Sequence, residues 1–386
     1  MVHPGNPLSR RDTLFAGATL AAAMSVPGVA HAATADGSVP RSPFEFEAAA
    51  ELTPRQRAAQ RVVFSYPGTT VPQSLLDLIA SGLVGGVILY GENISSLSQI
   101  TSTVQQMHEA NQSSPVGAPL LVMTDQEGGK VRRLPGGPVQ TAKQIGASAD
   151  PGPAAGGAGR EAGLLLRGAG LNVNLAPVLD VFRTPGDFED QYQRSFSMNP
   201  DVVATCTTAF ITAQQEVGVA ATAKHFPGLG PASAHQNTDL SPVTLTTSLS
   251  DLRAIDERPY IPAIAANLQL VMLSWAVYTA LDPDNPAGLS AKIIHRELRH
   301  RLGFEGVTIT DAISAGALAA LGTPPQNAVT AANAGMDLIL EATRNVSHGQ
   351  AVVDALTTAL TDGDLDPRES DAALRRILEL RCCLAR

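Results

Sequence analysis

The chain has 386 residues, 44% of them hydrophobic, and a formal net charge of −9. That is enough apolar material for one large core or two average ones, and it excludes wholesale disorder. The acidic balance, with a pI near 5.4 and no Lys/Arg run beyond pairs, argues against a nucleic-acid partner.

The N-terminus reads as a targeting segment. Ser9-Arg10-Arg11-Asp12-Thr13-Leu14-Phe15 is similar to a twin-arginine export motif. A small-residue apolar run follows to about Met24, is broken by Pro27 and Gly28, and leads to Ala30-His31-Ala32, which fits a cleavage site. Residues 1–32 are therefore expected to be a twin-arginine-type signal peptide. The mature protein would be exported, extracellular or in the cell envelope, with no stable membrane insertion after cleavage. Residues 33–52 read as a flexible leader, polar and containing proline. Thr53-Pro54-Arg55-Gln56 predicts a helix start, with Thr as N-cap, Pro in the first turn and Gln closing a capping box.

Short apolar runs then recur with helix-like stretches between them. They are Val62–Ser65, Gly86–Tyr90, Leu120–Met123, Asn172–Leu175, Ala220–Ala223, Leu270–Leu273, Val307–Thr310 and Asp337–Leu340. Eight such runs predict a single-domain α/β protein, a (β/α)8 TIM-like barrel over residues 53–386. The third to seventh runs end in polar residues, which the fold would gather at one mouth. A last helix is expected over about Glu369–Leu384, with Leu374, Ile377 and Leu378 as its buried stripe. Three cysteines occur, Cys206, Cys382 and Cys383, without metal-ligand spacing. One bridge from Cys206 to the tail pair stays open.

The seventh run, Val307-Thr308-Ile309-Thr310, ends in Asp311. A buried parallel strand ending in a carboxylate at the barrel mouth is where such folds keep their chemistry. Asp311 therefore reads as a catalytic carboxylate. After the third run, Asp125-Gln126-Glu127-Gly128-Gly129 combines two acids with two glycines, so that backbone can approach a ligand while Asp125 accepts from hydroxyls. The fifth run ends in Lys224-His225, two donors at the mouth, followed by the turn Phe226-Pro227-Gly228. By spacing alone, Arg194-Ser195-Phe196 belongs to a surface loop paired with Glu189 or Asp190.

Taken together with Asn174-Leu175-Ala176-Pro177-Val178-Leu179-Asp180-Val181 and Ile309-Thr310-Asp311-Ala312, these motifs resemble glycoside hydrolase family 3. The likeness is to its single-domain β-N-acetylhexosaminidase branch and spans about residues 53–383. It implies an exported retaining glycosidase that removes terminal β-linked N-acetylglucosamine from cell-wall or chitin-type oligosaccharides, with Asp311 as nucleophile. It implies that Asp125, Arg133, Arg194, Lys224 and His225 hold the terminal sugar, and that no metal or organic cofactor is needed. A catalytically impaired sugar-binding barrel, or β-glucosidase or β-xylosidase specificity on the same fold, are the alternatives.

The sequence departs from the family pattern in three places. The family's Asp-Ser-His triplet, whose histidine donates the proton, is missing. The loop here reads Gly230-Pro231-Ala232-Ser233-Ala234-His235-Gln236-Asn237-Thr238-Asp239-Leu240. Asp239, held in an apolar pocket on a closing loop, and His235 are the two candidate proton donors. Leu229 replaces a residue that is often basic. Trp275 replaces a histidine at the end of the sixth strand, and is expected to form part of the sugar-pocket wall.

Overall fold

The computed structural model describes residues 51–384. The expected signal peptide, and all of the expected leader except its last two positions, lie outside the described residues.

Eight parallel strands close into a barrel in chain order: β1 (Val62–Phe64), β2 (Gly86–Ile88), β3 (Leu121–Thr124), β4 (Val173–Asn174), β5 (Ala220–Phe226), β6 (Leu270–Leu273), β7 (Val307–Ala312) and β8 (Leu338–Leu340). Each pairs with its sequence neighbours, and β1 with β8 closes the ring through Val62–Ile339 and Val63–Leu340. The eight apolar runs therefore mark the eight strands. β5 runs on through Lys224, His225 and Phe226, so the Lys-His pair belongs to the strand itself.

Strand alternation makes two cores from these runs. Val63, Ile88, Met123, Leu175, Met272, Ile309 and Leu340 pack inside the barrel. Phe64, Val87, Val122, Leu273 and Ile339 face the surrounding helices. Ile88, Leu175, Met272 and Leu340 also form the floor of the cavity at the mouth.

The first helix, Pro54–Ala59, opens with the expected capping box, in which Gln56 N donates to Thr53 Oγ1. The last helix, Pro367–Cys383, buries Leu374, Ile377 and Leu378 as expected. It also buries Arg381, which donates to the carbonyls of Pro119 (2.5 Å) and Ala118 (3.0 Å). The guanidinium thus satisfies the Pro119 carbonyl and shares the Ala118 carbonyl with Asn111 Nδ2. Cys206 keeps a free thiol, buried beside the Pro151 carbonyl, so the possible bridge to the tail is not formed. Among the described residues no helix is long and apolar enough to cross a membrane.

Candidate active site

At the C-terminal ends of the strands lies a cavity of about 370 Å³, lined by residues from seven of the eight strand ends and the loops beyond them. Asp125, Arg133, Arg194, Lys224, His225, Asp239 and Asp311 all reach it. The structure therefore brings together seven of the nine side chains singled out in the sequence.

Asp125 and its neighbours are placed by a short hairpin, Gln126–Gly128 against Val131–Arg132. Buried Gln126 locks it. Its Oε1 accepts from Arg133 N (2.9 Å) and Leu134 N (3.0 Å), and its Nε2 donates to Gly137 O (2.8 Å). Gly128 and Gly129 turn the chain at φ +118° and +54°, a region that L side chains avoid. Asp125 and Glu127 then point to the cavity from either side of Gln126.

The charges interlock. Lys224 Nζ donates to Asp125 Oδ1 (2.7 Å) and pairs with Glu127 Oε1 (2.8 Å). Arg194 grips Glu127 side-on, Nε to Oε2 at 2.9 Å and Nη2 to Oε1 at 2.8 Å, and turns Nη1 to Glu189. The spacing-based pairing of Arg194 with Glu189 is thus present, but in the cavity wall and not on the surface. Asp190 pairs with Lys143 instead. Burial alone would push the Glu127 carboxyl up, yet Arg194 and Lys224 hold it far below the usual range. Burial likewise opposes the charge on Lys224, while Asp125 and Glu127 raise its pKa.

His225 donates through Nδ1 to Asp180 Oδ2 (2.7 Å). Burial disfavours its cation, but Asp180, with Glu189 behind it, raises its pKa above the ordinary value. Asp180, Glu189 and His225 offer ligand atoms within 4.8 Å of one another. Asp180, however, also accepts from His225 N and Leu229 N, and Glu189 is taken by Arg194. Asp180 is thus engaged by three protein donors, whereas Glu189 Oε2 is ion-paired to Arg194 without a hydrogen bond among the described residues.

Asp311 closes β7. Its Oδ1 accepts from Ala312 N (2.7 Å), and among the described residues no ion pair engages it. Asp239 faces the same cavity from the loop after β5, on a turn set by Asn237, whose Oδ1 accepts from Asp239 N at 2.8 Å. Its side chain is open to solvent on one side. Crowding at the mouth and the nearby Asp311 charge raise its pKa.

Two expectations are corrected. His235 lies exposed on the loop, outside the cavity lining, because the Asn237 turn presents the Thr238–Asp239 side of the loop instead. Trp275 is 1% exposed and does not line the cavity. Its ring packs over Gly288, and its indole N–H donates to the Ala312 carbonyl at 2.9 Å. The indole steadies the end of β7 and touches no cavity space. Sequence reasoning also left out Glu127, Asp180 and Glu189, although Glu127 stands two positions from Asp125 in a motif already noted.

The comparisons with known proteins point the same way. The model of the glycosyl hydrolase family 3 N-terminal domain matches residues 59–380. This chain belongs to glycosyl hydrolase family 3. As a member it is a glycosidase. A protein of Arthroderma benhamiae named an uncharacterized secreted glycosyl hydrolase is 46% identical over 330 residues, covering 85% of this chain and 93% of its own. A β-hexosaminidase of Stenotrophomonas maltophilia is 34% identical over 298 residues, 75% of this chain and 84% of that one. Among solved structures, a family 3 β-N-acetylglucosaminidase from Paenibacillus superposes with a TM-score of 0.81 at 31% identity, covering 86% of this chain and 63% of that longer one. A β-N-acetylhexosaminidase from Beutenbergia cavernae gives 0.77 at 33% identity, covering 86% of this chain and 99% of the other.

Proposed function

We propose that this family member is an exported, retaining β-N-acetylhexosaminidase that removes terminal β-linked N-acetylglucosamine from cell-wall or chitin-type oligosaccharides. The observation that carries the reading is Asp311: a carboxylate without an ion pair among the described residues, facing a small cavity whose other wall is a fixed lattice of charges. At about 370 Å³ the cavity is near the small end of ligand pockets and suits one terminal sugar ring. The names of the Stenotrophomonas and Paenibacillus relatives support the substrate class. The secreted relative supports export, and the Arg10-Arg11 motif supports a twin-arginine-type signal.

Asp125, Arg133, Arg194, Lys224 and His225 present donors and acceptors to the sugar hydroxyls. Their ion pairs fix them before substrate arrives, which lowers the cost of ordering on binding. Asp311 attacks the anomeric carbon as the glycosidic bond breaks, and Asp239 gives its proton to the leaving oxygen. Attack turns Asp311 into a neutral ester, which removes the charge that raised the Asp239 pKa. Asp239, now a carboxylate, takes a proton from water as that water attacks the anomeric carbon. The sugar leaves with its configuration retained and Asp311 is freed.

Turnover of aryl β-N-acetylglucosaminide, glucoside and xyloside by the purified protein tests this reading. The N-acetylglucosaminide should be preferred, and Asp311→Ala should abolish its turnover. Preference for glucoside or xyloside, or activity that persists in Asp311→Ala, overturns it.

A further inference from the structure

The loop that bears Asp239 is tied to the segment that bears Asp311. Beyond β7 the chain makes a turn of 3-10 helix, Gly316–Leu318. The first amides of any helix lack internal partners. Here they find them on the other loop: Gly316 N donates to Asp239 O (2.8 Å) and Ala317 N donates to Thr238 O (3.0 Å). Ala317 and Thr238 are both 4% exposed, so water does not compete for the second of these bonds. From the other side, Asn237 O accepts from Leu240 N and Ser241 N, both at 3.1 Å, and closes the loop into a turn.

The fit at Gly316 is tight. A Cβ there would run into the Leu240 carbonyl, 2.5 Å from its carbon, and would stand 2.9 Å from Asp239 O. These are backbone atoms and cannot swing aside as a side chain would. Any residue larger than glycine must push the Asp239–Leu240 backbone and the Gly316 turn apart.

We propose that Gly316 and Ala317 act as a positioning clamp that sets where the Asp239 carboxyl stands relative to Asp311. The inference rests on Asp239 as proton donor. It adds that the donor is docked by the nucleophile's own strand-end segment, so the two carboxyls keep a common frame. A retaining pair needs its carboxyls about 5 Å apart, and an error near 1 Å costs orders of magnitude in rate. A backbone clamp meets that demand without using a side chain that faces the substrate.

The test uses Gly316→Ala and two aryl N-acetylglucosaminides, phenyl and dinitrophenyl. A phenyl group leaves only with acid help, whereas dinitrophenolate leaves without it. The clamp predicts that kcat/KM for the phenyl substrate falls about tenfold or more, while the dinitrophenyl value stays within about twofold. A merely structural role would lower both alike, and an unchanged ratio in a folded variant overturns the clamp. Should Gly316→Ala fail to fold, amide hydrogen exchange of the wild-type protein decides. The peptide over residues 313–318 must be protected like the strand ends, and exchange at the rate of an open loop overturns the clamp. Asp239→Asn, assayed in parallel, separates the two claims. If its phenyl turnover is unchanged, the donor assignment falls, and the exchange result still judges the docking.

Discussion

Glu127 and Arg194 meet side-on, with two nitrogen–oxygen distances of 2.8 and 2.9 Å, and Lys224 shares one of the same carboxylate oxygens at 2.8 Å. All three side chains are largely buried. Two cations on one desolvated carboxylate make its ionised form far more stable folded than unfolded. The Glu127 pKa is depressed, so its contribution is fully present above the ordinary glutamate value of 4.5 and is lost as pH falls below it. Glu127→Gln leaves Arg194 and Lys224 short of a partner and should cost about 3 kcal/mol at neutral pH. It should also flatten the loss of stability on the acid side. Urea midpoints measured across this range check both, and a variant as acid-sensitive as wild type argues against the pairing.

Asp239 carries a raised pKa from crowding at the cavity mouth and from the Asp311 charge. An acid is active while protonated, so kcat/KM should fall on an alkaline limb displaced upward from the ordinary aspartate value. In Asp239→Asn that limb should vanish. Turnover of phenyl N-acetylglucosaminide should drop about 10²- to 10⁴-fold, with the kcat/KM of the dinitrophenyl substrate nearly spared. His235→Ala should leave the pH profile unchanged, since His235 stands outside the cavity. Loss of the limb in His235→Ala would reverse the assignment.

Trp275 holds the Ala312 carbonyl beside Asp311 through its indole N–H. Trp275→Phe keeps a ring over Gly288 but deletes that bond, at a cost of about 1 kcal/mol in stability. The predicted kinetic effect is on kcat, with KM little changed, because the indole touches no cavity space. A rise in KM alone would mean that Trp275 contacts the sugar.

The barrel was legible because a strand buried on both faces must be apolar throughout. Val62–Phe64, Leu121–Thr124 and Leu270–Leu273 have little other way to bury their side chains. Asp311 and the Lys224-His225 pair were legible for a related reason, as charges abutting such runs. The cross-pairing was not. Arg194 has acids nearby in the chain at Glu189 and Asp190, and nothing in that spacing says that its fork reaches Glu127, which lies 67 residues away. Trp275 was misplaced because its position two residues past β6 says where the backbone lies but not which way the ring turns. The space over Gly288 and the second lone pair of the Ala312 carbonyl, which already accepts from Ala315 N, decide that. The choice between His235 and Asp239 likewise depended on a turn that Asn237 closes through its own side chain.

The central claim is that Asp311 bonds to the sugar. Asp239→Asn provides the means to see it: dinitrophenyl N-acetylglucosaminide should load the enzyme without acid help, and water should then attack slowly for want of a base. Rapid quench and peptide mass mapping read the product directly. The account predicts a burst of dinitrophenol matched by one N-acetylhexosamine on the peptide that carries Asp311. A label on any other residue, or turnover that survives in Asp311→Ala, contradicts it.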